Sequence, residues 1–314
     1  MARLILKRLG AGIGVLLSVC TITFFLLYLR GGEVIVRNIL GKTATQEEVA
    51  TRVVQLGLDR PVLEQFFDWI TGALTGDLGV SFATRQPVTD ILATRLPITL
   101  SLVVVGLVFI TLLSVLVGVA AAVRGGALDR VLQVVSVAAA ALPGFWVALV
   151  LVLVFAIAIK LFPATGFVPI SKGFGPWLAS ITLPVVAISI ASVASVAQQI
   201  RGSMLDVMRQ DYVRTLRSRG ISRRAVIYRH ALRNAAGPAL TVLSFQVIGL
   251  LGGSVIIERV FAIAGLGTLA VTAGETGDIP VVMGVVSFMV LVVVGVNVTV
   301  EVLNGLLNPK ARVR

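Results

Sequence analysis

Ile98-Thr99-Leu100-Ser101-Leu102-Val103-Val104-Val105-Gly106-Leu107-Val108-Phe109-Ile110 opens a run that continues to Val123 without a charged residue. About 20 apolar residues in a helix cross the roughly 30 Å hydrocarbon core of a bilayer, and this run exceeds that. Five more share its character: Leu9–Leu29, Val131–Ile159, Ile181–Ile200, Pro238–Ile257 and Val281–Leu307. A backbone in lipid has no water to bond, so each run must satisfy its own N–H and C=O groups as a helix. Lipid burial overrides the weaker helix propensity of the many Val and Ile residues. The expected fold is an all-α polytopic membrane protein with six transmembrane helices. Composition agrees: 57% of the 314 residues are hydrophobic and 13% charged, where soluble domains average about 25% charged.

Charge orients the helices. Arg3, Lys7 and Arg8 precede the first run, and Arg124 and Arg130 with Asp129 follow the second. After the fourth come Arg201, Arg209, Arg214, Arg217, Arg219, Arg223, Arg224, Arg229 and Arg233 against only Asp206 and Asp211. Lys310, Arg312 and Arg314 end the chain. These alternate ends hold most of the Lys and Arg, which makes that side cytoplasmic and places both termini inside. The net charge of +12 is thus a topology signal, and no nucleic-acid partner is expected. Cys20, the one cysteine, allows no intrachain disulfide. Val19 stands where a lipoprotein cleavage box wants a small residue, and the apolar run passes beyond Cys20 to Leu29. The first segment is expected to stay as an uncleaved helix.

Residues 30–97 form the longest polar segment between runs, on the extracytoplasmic side. Thr45-Gln46-Glu47-Glu48 has the form of a helix cap with acids in the first turn. Val49, Val53 and Leu56, then Phe66, Ile70 and Leu74, fit short amphipathic helices. Gly76-Asp77-Leu78-Gly79 marks a turn. Two further outer loops are expected, at 160–180 and 258–280.

Catalytic motifs are missing. No HExxH, GxSxG or CxxC occurs. Gly41-Lys42-Thr43 looks like the end of a phosphate-binding loop, but Val36 occupies the position that needs Gly. The chain is therefore not expected to hydrolyse ATP. His230, the single histidine, has no triad or ligand partner nearby in sequence and is expected to be structural or solvated. Gln198, Gln199, Gln246, Asn297 and Glu301 lie within spans or at their ends. Such groups line a water path or bond neighbouring helices; Gln198, Gln246 and Asn297 are the candidate pathway residues.

The basic stretch between the fourth and fifth runs breaks this apolar pattern most strongly. Leu205, Met208, Tyr212 and Leu216 are spaced as one apolar stripe on a helix. Gly220 supplies a left-handed stop, and Ser222 can cap a second helix bearing Val226, Ile227, Ala231 and Leu232. A helix–Gly–helix elbow is expected to project from the bilayer. It either lays its arginines on anionic lipid or docks on a cytoplasmic partner.

The run Asp211-Tyr212-Val213-Arg214-Thr215 … Arg219-Gly220 … Arg229-His230-Ala231-Leu232-Arg233-Asn234 resembles the cytoplasmic loop of dipeptide and oligopeptide permeases of ATP-binding cassette importers, in particular the first of their two permeases. The broader permease signature is Glu-Ala-Ala, three residues, Gly, nine residues, then Ile-x-Leu-Pro. Here Arg214-Thr215-Leu216 fills the Glu-Ala-Ala slot, Gly220 is kept, Leu232 holds the Leu slot and Arg233 replaces Pro. The resemblance covers nearly the whole chain, through Leu56-Gly57-Leu58-Asp59-Arg60-Pro61, Gly76-Asp77-Leu78-Gly79, Leu96-Pro97-Ile98-Thr99-Leu100, Leu142-Pro143, Phe162-Pro163-Ala164-Thr165-Gly166, Glu258-Arg259-Val260-Phe261, Asp278-Ile279-Pro280 and Asn308-Pro309-Lys310-Ala311-Arg312. After the first helix the chain has Arg30-Gly31-Gly32-Glu33-Val34 where the family often has Pro-Gly-Asp-Pro.

The resemblance implies the type I importer permease architecture in the cytoplasmic membrane. Residues 1–29 would hold the N-terminus and first span, 30–97 an extracytoplasmic loop with short helices, and 98–314 the core permease with a coupling loop at 201–237. Partners would be a second, homologous permease, two ATPase subunits and an extracytoplasmic substrate-binding protein. This chain would bind no cofactor, ATP and Mg belonging to the ATPases. Asp211, Tyr212, Arg214, Thr215, Leu216, Arg217, Arg219 and Gly220 would form the ATPase-coupling helix. The substrate would be a peptide, although related permeases also carry nickel, glutathione, opines or sugars. A stand-alone secondary transporter would instead show inverted repeats with broken helices.

Overall fold

The computed structural model describes residues 2–41 and 43–307, with side chains from Leu6 to Leu306. The basic tail Lys310–Arg314, the Asn308–Arg312 ending, the Arg3 side chain and Lys42 lie outside the described residues. Among those described no β-strand forms; one isolated bridge pairs Val80 with Pro87.

In chain order the helices are α1 (Ala2–Tyr28), α2 (Gly32–Leu40), α3 (Gln46–Gln55), α4 (Val62–Thr75), α5 (Val88–Arg124), α6 (Gly126–Ala141), α7 (Gly144–Leu151), α8 (Phe174–Met208), α9 (Asp211–Ser218), α10 (Arg223–Ala225), α11 (Leu232–Val260), α12 (Leu266–Thr276) and α13 (Ile279–Leu307). π-helical turns follow α7, at Val152–Ala158, and α10, at Val226–Ala231. Five spans are long and apolar enough to cross a membrane as they stand. They match five of the six predicted runs, and three extend well past the run; α5 starts at Val88, ten residues before it, and carries Pro97 inside.

The third run departs from expectation. It is not one straight span but two helical pieces, Gly126–Ala141 and Gly144–Ala158, bent by 102°. Pro143 has no N–H to give and disfavours helical geometry in the residue before it. Leu142 accordingly sits at φ −85°, ψ 127°, in extended conformation. Pro184 lies inside α8 without ending it, as membrane helices permit when neighbours satisfy the freed carbonyl.

The chain divides into two compact units. One comprises Leu100–Ile263 with the chain's two ends. Here α8 packs along α11, α6 and α7. Helices in lipid gain little from apolar burial against each other, so close backbone approach through small residues matters. A β-carbon on Gly118 of α5 would stand 2.6 Å from the carbonyl oxygen of Ala197 on α8. One turn earlier, Ser114 Oγ donates to Val193 O at 3.0 Å. At Gly106 the neighbours are Ser189 Oγ on α8 and Leu250 on α11. Gly106, Ser114 and Gly118 thus line one face of α5 at multiples of four residues.

The other unit comprises Lys7–Thr99 and Ala264–Val294. Its core gathers Cys20, Phe24, Ile35, Val36, Val49, Leu58, Phe66, Ile279 and Met283. The predicted cap is present: Glu48 N–H donates to Thr45 Oγ1, and Thr45 N–H donates to Glu48 Oε2. The Thr45 N–H and hydroxyl, both donating to Oε2, hold the Glu48 carboxyl below its usual pKa. Val49 is fully buried, but Leu74, expected on an apolar face, is 83% exposed. It lies in the last turn of α4, just before the left-handed Gly76 (φ +89°) that ends the helix. Asp278, buried at the start of α13, accepts from Ser81 Oγ and from the Phe82 and Ala83 backbone N–H groups. One carboxylate thereby fixes the turn that precedes α5.

Candidate coupling surface

The stretch that opposes the apolar pattern folds as two helical pieces around a glycine. At Gln210 the chain turns extended (φ −71°, ψ 149°), so α8 ends at Met208 and α9 starts afresh at Asp211. The single stripe Leu205–Met208–Tyr212–Leu216 therefore does not exist, because the break resets the helical phase. The buried positions are instead Met204 and Val207 on α8 and Val213 on α9. Val213 is the anchor that the sequence pattern missed.

α9 ends as expected. Gly220 lies at φ +77°. Ile221 N–H bonds Leu216 O at 3.2 Å and Gly220 N–H bonds Arg217 O at 3.0 Å. This pair satisfies two carbonyls that a helix end leaves open. The Ser222 side chain then accepts from Ala225 N–H and caps α10. Val226, Ile227 and Ala231 are buried as predicted, on a π-helical rather than an α-helical turn.

With Val213 facing inward, the outward face of α9 carries Arg214, Thr215, Arg217 and Ser218, followed by the exposed Arg219. The Arg214 and Asp211 side chains are 81% and 95% exposed and 3.6 Å apart, a pair that contributes little in water. Thr215 Oγ1 donates to Asp211 O at 3.1 Å. Leu216 is half-buried.

Three contacts tie this surface to longer helices. Asn234 Nδ2 on α11 donates to the Tyr212 hydroxyl at 2.8 Å. Arg201, near the end of α8, makes a two-pronged ion pair with Asp129 on α6, its Nη2 lying 2.7 Å from Oδ2. Arg223 Nη2 donates to Val123 O at the end of α5, at 3.2 Å. Asn234 stood in the sequence only as the end of the resembling run, and the Asp129–Arg201 pair was not marked at all. The one available signal was Asp129 as the lone acid among the basic residues after the second run.

The candidate pathway residues are dispersed. Gln198 on α8 and Gln246 on α11 are half-buried, and Asn297 on α13 is exposed. No hydrogen bond joins these three among the described residues. Ser189 Oγ, deep in α8, is buried and unpartnered. No cluster of His, Cys, Asp or Glu suited to a metal ion occurs among the described residues.

α9 packs on the π-helical turn at Val226–Ala231, and Asn234 of α11 bonds its Tyr212. Comparison with known proteins agrees with a transport fold. Residues 114–313 match the family described as binding-protein-dependent transport system inner membrane component, and residues 1–103 match its N-terminal companion. A Brucella abortus (strain 2308) protein bearing the name of a peptide transport system permease is 37% identical over 313 residues, 99% of both chains. A Sinorhizobium fredii protein named as a peptide ABC transporter permease is 36% identical, over 98% of both. The dipeptide transport system permease protein DppB of Escherichia coli (strain K12) is 32% identical over 99% of both. The chain belongs to the family of binding-protein-dependent transport system inner-membrane components, multi-pass permeases of ATP-binding cassette transporters.

Proposed function

We propose that this chain is the first permease of an importer that carries di- or oligopeptides across the cytoplasmic membrane, paired with a second, homologous permease. Two ATPase subunits supply the energy from ATP and Mg, and an extracytoplasmic binding protein delivers the substrate. The observation that carries this reading is α9: a short helix with a bare guanidinium face, packed on the π turn that leads into α11 and bonded to α11 through Asn234. The names of the relatives above support a peptide substrate. In this reading residues 201–237 are the coupling loop, 98–314 the core permease and 30–97 the extracytoplasmic segment. Both termini are cytoplasmic.

In operation, Arg214, Arg217 and Arg219 steer the ATPase onto α9. Closure of the ATPases displaces α9, and the packed α8–α11 pair moves with it. The pathway then opens to one side or the other, a two-state equilibrium biased from a distance. The chain's part is mechanical: it supplies the lever and the walls, and the hydrolytic chemistry belongs to its partners.

The test uses the assembled transporter in proteoliposomes. Charge reversal of Arg214 and Arg217 together should leave the permease inserted, and ATP-driven peptide uptake should fall at least tenfold. Undiminished uptake in that variant, or uptake by the permease alone without ATP, contradicts the proposal.

A further inference from the structure

The loop carries more arginine than α9 uses. Beyond Gly220, Arg224, Arg229 and Arg233 are all exposed, and Tyr228 between them is 63% exposed. None of the three arginines has an ion pair among the described residues. Between residues 201 and 237 the sequence holds only two acids, Asp206 and Asp211, and Asp211 faces Arg214.

The π turn brings these residues together. At about 100° per residue, an unbroken α-helix would set Arg224 and Arg233 on opposite faces. The turn at Val226–Ala231 closes i→i+5 rings, with Leu232 N–H bonding Ile227 O. The extra residue per ring sets the following residues back around the axis. Burial follows that geometry. Val226, Ile227, Ala231 and Ala235 are buried along one side, while Arg224, Tyr228, Arg229 and Arg233 share the other. The stripe ends close to the apolar run: Pro238, which opens that run, lies five residues beyond Arg233, about 7 Å along the helix.

We propose that Arg224, Arg229 and Arg233, with Tyr228 among them, bind the phosphate of an anionic phospholipid. Guanidinium pairs a phosphate through two parallel N–H bonds, and tyrosine favours the depth of the headgroups. The elbow then divides its work: α9 points to the protein partner, and the stripe after Gly220 holds the lipid. This rests on the membrane-permease reading but not on which way the chain is oriented, since lipid is present in both leaflets.

The experiment places the assembled transporter in phosphatidylcholine nanodiscs with a small share of photoactivatable lipid, either phosphatidylglycerol or phosphatidylcholine. Labelled segments are then mapped. The phosphatidylglycerol probe should label residues 224–233 well above the phosphatidylcholine probe. Combined Arg224→Gln, Arg229→Gln and Arg233→Gln should cut that labelling more than tenfold, since each arginine near an anionic surface contributes about a fivefold preference. Labelling of α5 and α13 in the same variant should not change, which reports an intact fold. Equal labelling by the two probes overturns the proposal. So does an absence of lipid label with crosslinks from these residues to the ATPase, which would give the stripe to the protein partner. Neither result touches the uptake test of α9.

Discussion

Tyr212 and Asn234 join the two ends of the elbow: the amide of Asn234, at the base of α11, donates to the Tyr212 hydroxyl on α9 at 2.8 Å. Together with the fully buried Val213, this bond sets the angle at which α9 leaves α11. An exposed hydrogen bond contributes only about 0.5–1.5 kcal/mol, so its loss should not unfold the loop. Tyr212→Phe and Asn234→Ala should each lower peptide uptake per ATP hydrolysed by about two- to fivefold, with expression unchanged. In the double variant the losses should not add. Fully additive losses would show that the two residues act separately.

Gly220 has a purely conformational role. No atom lies within 4 Å of where its β-carbon would stand, yet its φ is +77°. Alanine there faces only the left-handed penalty, about 1–2 kcal/mol. Proline is worse, because it fixes φ near −65° and removes the N–H that bonds Arg217 O. Uptake should therefore fall in the order Gly220, Ala, Pro, and proteolysis of the loop should rise in the same order. Equal uptake by the proline variant would show that the turn is dispensable.

Asp278 holds a turn together. Its carboxylate serves the Ser81 hydroxyl and the N–H groups of Phe82 and Ala83, so removing it leaves the buried Ser81 hydroxyl and two partly buried N–H groups without their acceptor. Asp278→Ala should cost about 2–4 kcal/mol and lower the melting temperature of the detergent-solubilised protein by several degrees. Asp278→Asn, which keeps one acceptor oxygen, should lose less.

Gly118 measures how closely α5 and α8 approach. A β-carbon there would lie 2.6 Å from a backbone oxygen and 3.1 Å from Ile200 Cγ2. The backbone oxygen has no rotamer to escape into, so the helices must separate. Gly118→Ala should cost about 1–3 kcal/mol by overpacking, read as a lower melting temperature. Gly10 and Gly14 of α1 have open space, and alanine at either should have no such effect.

The spans, the Thr45–Glu48 cap, the Gly220 stop and the Ser222 cap were legible because each rests on a few neighbouring residues. Three kinds of feature were not. The 102° bend at Leu142–Pro143 lies in a run whose hydropathy is continuous, and proline alone does not foretell it, since Pro184 leaves α8 unbroken. The phase of α9 depends on one extended residue, Gln210, which no apolar period reports. Long-range partners such as Asp129–Arg201 and Ser114–Val193 are set by tertiary packing, so spacing along the chain carries no trace of them. Of the candidate site, the residues of α9 were legible, but neither its buried anchor Val213 nor its bond to Asn234 of α11.

The Asp129–Arg201 pair closes the start of α6 onto α8, about two turns before the break that begins α9. Both guanidinium prongs are engaged, and Gln133 also donates to the carboxylate. The two side chains are each 21% exposed, so water covers them incompletely. Removing one partner leaves a charge with neither solvent nor counter-ion at full strength. Asp129→Asn should therefore lower both thermal stability and uptake, and Arg201→Met should do so more, because it also strips the bidentate geometry. The exchange of the two, Asp129→Arg with Arg201→Asp, should recover part of the stability. If the pair also transmits movement from α8 to the bent α6–α7 segment, the exchange will restore melting temperature further than it restores uptake per ATP. Full recovery of both would confine the pair to holding the fold.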